Sequence, residues 1–193
     1  SRRVGVKERI SSSGEVLTEL DEESLHVGLE KLVDQDVQSV AICFLFSFLN
    51  PVHEIRAREI IRASYPKLFV SVSFEVDPAF REYERTVATA FDAYTKPVLS
   101  DYLGRLQRSL ERADIGAKLQ VMQSRGGISS AGIASKKPVR LFLSGPAAGV
   151  MGGNHAGQSL GHRNLITVDI GGTSCDIALI SEGRPLVRPE GNI

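Results

Sequence analysis

The chain has 193 residues, 42% of them hydrophobic, which is enough to bury the core of one large domain or of two small ones. Its 23 basic and 23 acidic residues balance, and the isoelectric point lies near 6.9. No strong electrostatic field therefore directs the chain to nucleic acid or to an anionic membrane. We expect its partner to be a small molecule or another protein chain.

The two cysteines, Cys43 and Cys175, lie far apart in unlike surroundings, which favours free thiols in a reducing compartment. No signal-peptide pattern is visible, and no apolar run approaches the roughly 20 residues of a membrane-spanning helix, so we predict a cytoplasmic protein. The chain lacks an initiator Met and ends soon after Ile180. Because a hairpin alone is marginally stable in water, we expect an excised piece of a longer polypeptide.

The first residues predict a hairpin, or a strand that enters a turn, followed by a helix. Residues 4–10 and 15–20 flank a Ser-rich turn that ends in Gly14. Asp21 can cap a helix, because four apolar residues at helical spacing follow it. These residues are Leu25, Leu29, Leu32 and Val33.

The continuously apolar run at 40–49 predicts a central strand covered on both faces. Asn50 and Pro51 then begin a helix that ends near Ser64. We expect His53 and Glu54, in its first turn, to be exposed or capping rather than ligands. Residues 70–74 alternate in polarity, which predicts a further strand.

Residues 80–114 predict a long helical region with a kink or break at Pro97. Its second half carries an apolar stripe typical of a core-facing helix, formed by Leu99, Tyr102, Leu103, Leu106 and Leu110. The first half, Arg81-Glu-Tyr-Glu-Arg-Thr86, is dense in charge and hydroxyls. That density fits either a solvated face or a surface that meets a domain or a substrate.

Two glycine-rich stretches follow predicted strands. The strand at 119–123 leads into Ser124-Arg-Gly-Gly127, and because ligands gather at strand ends, Arg125 is a candidate contact for a carboxylate or phosphate. A strand at 139–143 precedes a helix with Pro146 at its first position. Glycines at 145, 149 and 153 leave one helix face bare, for close packing or for a ligand near the helix start.

The last predicted hairpin, at 165–180, combines a glycine turn with two acids. Gly171 and Gly172 let backbone N–H groups approach phosphate, and the adjacent hydroxyls of Thr173 and Ser174 add donors. Asp169 ends an apolar run, where a buried carboxylate requires a partner such as Mg²⁺, and Asp176 can orient the waters of that metal. An ordinary hairpin whose aspartates bond to its own turn is the alternative.

Helices and strands alternate between the first hairpin and the last, which indicates α/β layers around a mostly parallel sheet. Five separated stretches then match one family in order. They are Arg81-Glu-Tyr-Glu-Arg-Thr86, Asp92-Ala-Tyr94 with Pro97, Met122-Gln-Ser-Arg-Gly-Gly127, Leu143-Ser-Gly-Pro-Ala-Ala-Gly-Val150 and Asp169-Ile-Gly-Gly-Thr-Ser-Cys-Asp176. They resemble the hydantoinase A / 5-oxoprolinase (HyuA-like, N-methylhydantoinase) family, and the resemblance covers essentially the whole chain.

The resemblance implies part of an actin-like, sugar-kinase-like (ribonuclease H-like) ATPase fold of the α/β class, with layers of helices on a mixed sheet. It implies that residues 1–79 are the C-terminal part of the family's N-terminal domain and that residues 80–193 begin the hydantoinase A domain. Family members are several times longer and carry an earlier Asp-Gly-Gly-Thr type motif, which this sequence lacks.

The resemblance also implies a function. We expect a fragment of an ATP-dependent amidohydrolase that opens hydantoin, N-methylhydantoin or 5-oxoproline through phosphoryl activation, with ATP and Mg²⁺ as cofactors. The expected partners are the cyclic amide, the rest of the polypeptide and a HyuB-like second subunit. An acetone or acetophenone carboxylase-type subunit and a non-catalytic module are the alternatives. We expect the fragment alone to be inactive, because an actin-like site needs both lobes.

The site residues divide into three groups under this interpretation. Asp169 and Asp176 would be catalytic and hold the metal. The nucleotide would contact Gly145, Gly171, Gly172, Thr173 and Ser174, and the substrate would contact Arg125, Gly126 and Gly127.

Three positions depart from the family pattern, which usually has Thr at Cys175 and Asn at Arg125 and Asp92. Cys175 is a weak donor, so contacts to metal-bound water are expected to change. Arg125 adds a charge beside the expected substrate pocket. Asp92 is expected to be a change on a helix surface.

Overall fold

The computed structural model describes residues 2–187, which fall into two units. Unit 1 comprises Ser1–Ala113 and Ser135–Val139, and unit 2 comprises Asp114–Ala134 and Arg140–Ile193. None of the helices within residues 2–187 is long and apolar enough to cross a membrane.

Unit 1 is built from four strands and four helices in its first 113 residues. In chain order they are β1 (Arg9–Ile10), β2 (Val16–Thr18), α1 (Glu22–Val33), β3 (Ser39–Ile42), α2 (Val52–Ser64), β4 (Phe69–Val72), α3 (Ser73–Val76) and α4 (Glu82–Arg112). The predicted first hairpin is confirmed, with β1 and β2 antiparallel. Asp21 caps α1 as predicted, because its carboxylate accepts a hydrogen bond from the Ser24 N–H at 3.0 Å.

The parallel pair β3–β4 has two different faces, because successive side chains of a strand point to opposite sides. Val40 and Ile42, with Val70 and Val72 opposite them, pack into an apolar core with α1 and α2. The other face carries Ser71, which bonds to side chains of α4. One face is therefore sealed by hydrophobic burial and the other by hydrogen bonds.

The predicted strand at 40–49 is wrong beyond Ile42. Residues 45–49 form turns, and Phe46 has a left-handed backbone with φ of 59°. Phe44 packs against the core, and the rings of Phe46 and Phe48 lie 6.2 Å apart. A continuously apolar run predicts burial, and here a half-buried turn takes the place of a longer strand.

Of the kink or break expected at Pro97, the break does not occur, because α4 runs as one helix of 31 residues. Pro97 removes one backbone donor, but the helix packs along both β3 and β4, and this tertiary contact holds its two halves together. Within the predicted apolar stripe Leu103 is buried, whereas Tyr102 is exposed.

Up to residue 187, unit 2 contains two small antiparallel sheets and one long helix. Its elements are β5 (Gln120–Met122), β6 (Ile128–Ser130), α5 (Ala131–Ala134), α6 (Ser144–Ser159), β7 (Leu165–Ile170), β8 (Cys175–Ser181) and β9 (Arg184–Pro185). A short 3₁₀ helix, Pro138–Leu141, stands where the sequence predicted a strand at 139–143. Among the described residues only β3 and β4 pair in parallel, so the expected mostly parallel sheet is limited to that pair.

Candidate functional site

The predicted glycine turn joins β7 to β8 and brings the two acids face to face. Asp169 pairs with Asp176 in the antiparallel register, and the Gly171 N–H donates to the Ser174 carbonyl at 2.9 Å. Residues directly opposite in such a pair have Cβ atoms about 5 Å apart on one face of the sheet. Two carboxylates in this position repel each other, and a cation between them would remove the repulsion.

The turn and its acids are open to solvent. Asp169, Asp176 and every residue between them are exposed. The expectation that Asp169 lies in a buried run is therefore wrong, and its desolvation gives no argument for a metal. The apolar side chains of this stretch also face outward, since Ile166, Val168 and Ile177 are more than half exposed.

The other face of the hairpin packs on the glycines of α6. A Cβ at Gly149 would lie 3.7 Å from the Asp169 carboxylate, and one at Gly153 would lie 2.7 Å from the Thr167 methyl carbon. Gly157 likewise meets Leu165. The packing alternative therefore accounts for the glycine stripe, which runs 149, 153 and 157.

This packing also fixes the direction of α6. Rising residue numbers in the helix meet falling numbers in β7, so the two run antiparallel. The first turn of α6 therefore lies at the same end of unit 2 as the glycine turn. Gly145 is in that first turn, and a Cβ there would meet nothing within 4 Å.

Within the described residues, no side chain caps the start of α6. The helix begins at Ser144, two residues earlier than predicted, so Pro146 is third rather than first in it. The residue before it, Leu143, has a left-handed backbone with φ of 57° and no side-chain acceptor to cap the helix. The N–H groups of Ser144 and Gly145 are thus available to an anion, which the helix dipole also attracts.

The second glycine turn lies against another side of α6. It closes the β5–β6 hairpin through the Gln123 N–H, which donates to the Gly127 carbonyl at 2.7 Å. A Cβ at Gly126 would lie 2.9 Å from the Met151 sulfur. Met151 and Gly149 are about 200° apart around the helix, so the structure does not bring Arg125, Gly126 and Gly127 onto the two acids. Arg125 and Gly127 are open to solvent or to empty space.

Glu54 and His53 are buried, contrary to the sequence prediction. Glu54 is 0% exposed, and its carboxylate accepts from the backbone N–H groups of Phe44 and Phe74 and from the Ser73 hydroxyl, at 2.8, 3.1 and 2.6 Å. His53 lies 2.8 Å from the Glu8 carboxylate through Nδ1. Glu54 therefore fixes the turn after β3 and the start of α3.

A row of buried polar side chains lies on α4, and it was not predicted from the sequence. Arg85, Thr89, Asp92 and Lys96 recur at helical spacing and are all buried. Arg85 donates to the Ala79 and Phe44 carbonyls at 2.8 and 2.9 Å. Residues 81–84 are exposed, so the charged motif combines a solvated face with one structural arginine. The spacing of these four residues was the signal available in the sequence.

Asp92 is not a surface residue, which corrects the prediction. It is 0% exposed, and Lys96 Nζ lies 2.8 Å from its Oδ2 atom. The Ser71 hydroxyl donates to the same oxygen at 2.7 Å, and the Val139 N–H donates to Oδ1 at 3.1 Å. Asp92 thus ties the segment Ser135–Val139 to α4 and β4 within unit 1.

The two cysteines are free thiols, as predicted. Burial raises the pKa of the Cys43 thiol, and hydrogen bonds from the Thr89 and Thr86 hydroxyls act in the opposite direction. Cys175 is exposed beside the glycine turn.

Only Asp169 and Asp176, among the predicted site residues, offer carboxylates to a metal. Within residues 2–187 there is no group of three or more His, Cys, Asp and Glu side chains that could hold a metal ion. Two adjacent carboxylates still fit Mg²⁺, because that ion usually keeps several waters and takes only one or two protein carboxylates.

Comparison with known proteins places the chain in a family. Residues 85–193 match the model described as hydantoinase/oxoprolinase, and residues 1–65 match that of its N-terminal region. The chain therefore belongs to the hydantoinase/oxoprolinase family, as the motifs predicted. The predicted domain border at residues 79 and 80 stays a prediction.

Two curated relatives and two solved structures illustrate the similarity. Caprolactamase subunit alpha from Pseudomonas jessenii is 39% identical over 91% of this chain and 25% of that protein. The 5-oxoprolinase of Saccharomyces cerevisiae is 35% identical over 90% of this chain and 14% of that protein. The chain thus spans a quarter or less of these relatives.

The solved structures establish the fold class. The ATP-dependent caprolactamase from Pseudomonas jessenii matches with a TM-score of 0.82 and 39% identity, covering 90% of this chain and 25% of that one. A nucleotide-free acetone carboxylase matches with a TM-score of 0.77 and 31% identity, covering 93% and 26%. The predicted α/β class and actin-like, sugar-kinase-like fold are confirmed.

Proposed function

We propose that this chain is part of an ATP-dependent amidohydrolase that opens a cyclic amide, such as hydantoin, N-methylhydantoin or 5-oxoproline. The observation that carries the proposal is the placement of Asp169 opposite Asp176, beside an exposed glycine turn and at the same end of unit 2 as an uncapped helix start. Three features that suit a polyphosphate and its cation thus occur at one end of unit 2.

Each residue has a physical role in this proposal. Asp169 and Asp176 hold Mg²⁺ directly or through its waters, which relieves their mutual repulsion. Gly171 and Gly172 let backbone N–H groups approach the phosphates, and the hydroxyls of Thr173 and Ser174 add donors. The N–H of Gly145 adds a donor at the positive end of α6.

Bound ATP would supply the phosphoryl group that turns the amide oxygen into an activated imidate. Arg125, Gly126 and Gly127 are proposed to contact the substrate, because the exposed guanidinium of Arg125 suits a carboxylate or a developing negative charge. The rest of the polypeptide and a HyuB-like second subunit are the proposed partners, in the cytoplasm. Caprolactamase subunit alpha is itself named as one subunit of its enzyme.

The test is ATP hydrolysis by the intact polypeptide with hydantoin, N-methylhydantoin and 5-oxoproline. We expect one of them to stimulate turnover, and Asp169→Asn or Asp176→Asn to lower that turnover about a hundredfold or more. Asp101→Asn is the matched control, because Asp101 is an exposed carboxylate whose partner is Arg105 on α4. Unchanged turnover in Asp169→Asn would contradict the proposal. The 193-residue chain alone is expected to be inactive.

A carboxylase subunit is the second candidate, favoured by the similarity to acetone carboxylase. It predicts ATP hydrolysis stimulated by a ketone with bicarbonate, and only after a second subunit is added. Cyclic amides would then have no effect.

A non-catalytic module is the third candidate, and calorimetry with ATP and Mg²⁺ separates it from the other two. Equal binding by the wild type and by Asp169→Ala, or binding by neither, would favour the module.

A further inference from the structure

The buried histidine of unit 1, His53, has one bonded and one unbonded ring nitrogen. It lies in the first turn of α2 and is 3% exposed. Its Nδ1 atom lies 2.8 Å from the Glu8 carboxylate, which is itself almost completely buried. Its Nε2 atom is also buried and has no hydrogen-bond partner within the described residues. The Glu19 carboxylate lies 3.8 Å from Nε2, which is too far for a hydrogen bond.

Glu8 and Glu19 lie next to each other at the base of the first hairpin. Arg9 of β1 pairs with Thr18 of β2, and the two acids are the next residues outward on the two strands. Like charges that face each other across a strand pair repel, and each of these carboxylates is close to one nitrogen of the imidazole ring. An imidazolium donates from both nitrogens, whereas a neutral ring donates from only one. Only the protonated form of His53 therefore compensates both acids.

The other charged side chains on the elements around the start of α2 are paired or exposed. Arg56, one turn further along the helix, donates to the Glu22 carboxylate of α1 at 2.7 and 3.0 Å. Arg58 pairs with Glu75 of α3, and Glu54 accepts its three hydrogen bonds on the other side of the helix start. The exposed charged residues of these elements are Lys7, Arg9, Glu15, Glu23 and Glu59.

A metal ion suits this position less well than a proton does. Zinc sites in proteins usually have three or four protein ligands, and here only Nε2 and the Glu19 carboxylate could contribute. Glu8 cannot be a third ligand, because it lies on the Nδ1 side of the ring. The unbonded nitrogen therefore has one acidic neighbour and no ligand set.

We propose that His53 is a clasp that a proton closes. With a proton on each nitrogen, the ring donates to Glu8 and draws the Glu19 side chain, which is 90% exposed, into hydrogen-bonding distance. The base of the first hairpin is then fastened to α2. Loss of the Nε2 proton leaves a lone pair facing a carboxylate, and Glu19 is released.

The clasp closes as the pH falls and opens as the pH rises through the range in which a histidine titrates. The positive end of the α2 dipole disfavours a cation in the first turn, so the second proton depends on the two carboxylates. The folded protein gains stability from this proton at low pH and loses that gain as the pH rises. The clasp lies in unit 1 and involves no nucleotide, so its test is independent of the proposed function.

The test is hydrogen exchange on the intact polypeptide at about pH 5.5 and about pH 8, either side of histidine titration, with EDTA present. Each exchange rate is divided by that of an unstructured chain at the same pH. The amide of Asp21 reports on the base of the hairpin, because it donates to the Lys7 carbonyl at 2.9 Å. We expect its protection to be about threefold higher at the lower pH, which is the effect of an ion pair with one exposed partner.

Three variants decide whether His53 and Glu19 cause this pH dependence. Glu19→Gln and His53→Gln should both remove it, because neither keeps a titrating ring beside the second carboxylate. Glu15→Gln is the matched control, since Glu15 is an exposed acid of the same hairpin that bonds to the Ser13 hydroxyl, and it should keep the pH dependence. If His53→Gln does not fold, Glu19→Gln decides. Equal pH dependence in the wild type and in Glu19→Gln would overturn the proposal, as would wild-type protection that is the same at both pH values or higher at the upper one.

Discussion

Four carboxylates of this protein occur in two contrasting environments, two of them buried and two exposed. Glu54 and Asp92 of unit 1 are fully buried, and each is surrounded by donors. Asp169 and Asp176 of unit 2 are exposed and face each other across a hairpin. The buried acids already have their charge compensated, so they serve the structure. The exposed acids repel each other and leave room for a cation, which is what a metal and phosphate site requires.

The largest effect is expected from Glu54→Ala. The substitution leaves the Phe44 and Phe74 N–H groups and the Ser73 hydroxyl buried without an acceptor, and each costs about 1–3 kcal/mol. We expect the free energy of unfolding to fall by about 4 kcal/mol, measured by chemical denaturation. Glu59→Ala on the same helix is the control, because Glu59 is exposed. A loss as small as that of the control would show that Glu54 is not structural.

The buried ion pair offers the next test, with a matched pair on the same helix. Lys96→Met leaves Asp92 buried without its cation and should cost about 3 kcal/mol of unfolding free energy. Arg105→Met breaks an exposed pair with the same i,i+4 spacing, to Asp101, and should cost about 0.5 kcal/mol or less. Equal losses in the two variants would remove the distinction between buried and exposed acids.

Neutralising an exposed acid should raise the free energy of unfolding rather than lower it. Asp169→Asn removes the repulsion with Asp176, so without divalent metal it should raise the unfolding free energy by about 0.5 kcal/mol. Mg²⁺ at ten times its Kd should stabilise the wild type by about 1.4 kcal/mol and this variant by less. Glu182→Gln, at another exposed carboxylate of unit 2, should change neither value. Thermal melts with and without Mg²⁺ measure both effects, and a destabilised Asp169→Asn would contradict the repulsion.

The smallest effect concerns the two thiols, which repeat the contrast between the units. Burial raises the pKa of Cys43 above its ordinary value of 9.0, so the folded protein holds this proton more tightly than the unfolded chain does. Stability is unaffected below that value and falls as the pH rises through it, a loss that Cys43→Ser should remove. Alkylation near pH 8 should modify the exposed Cys175 well before Cys43. Equal labelling rates would contradict the burial of Cys43.

Local sequence signals predicted the elements whose causes are local. The cap at Asp21, the helix that ends at Ser64 and the hairpin around Gly171 and Gly172 all follow from neighbouring residues. The pairing of Asp169 with Asp176 also follows from neighbouring residues, because the length of the turn sets the register of a hairpin. The five motifs also predicted the family, since their order and spacing are written in the chain.

Other predictions failed where a distant residue decided the outcome. In the run at 40–49 the strand ends at Ile42. The Phe44 N–H then donates a hydrogen bond to Glu54, which lies ten residues further along the chain. The long helix α4 continues through Pro97 because it packs on β3 and β4. The burial of Asp92 depends on Ser71 and on Val139, which are 21 and 47 residues away. Composition and periodicity carry no information about such partners.

The sequence by itself determined the caps, the turns, the family and the placement of two acids across a glycine turn, because each depends on residues close together in the chain. Only the tertiary structure decided which acids are buried and that the glycines of α6 pack against β7. Burial and pairing depend on which distant segments meet. The free energy of a charged carboxylate therefore depends on neighbours that are distant in sequence and cannot be predicted from the residues around it.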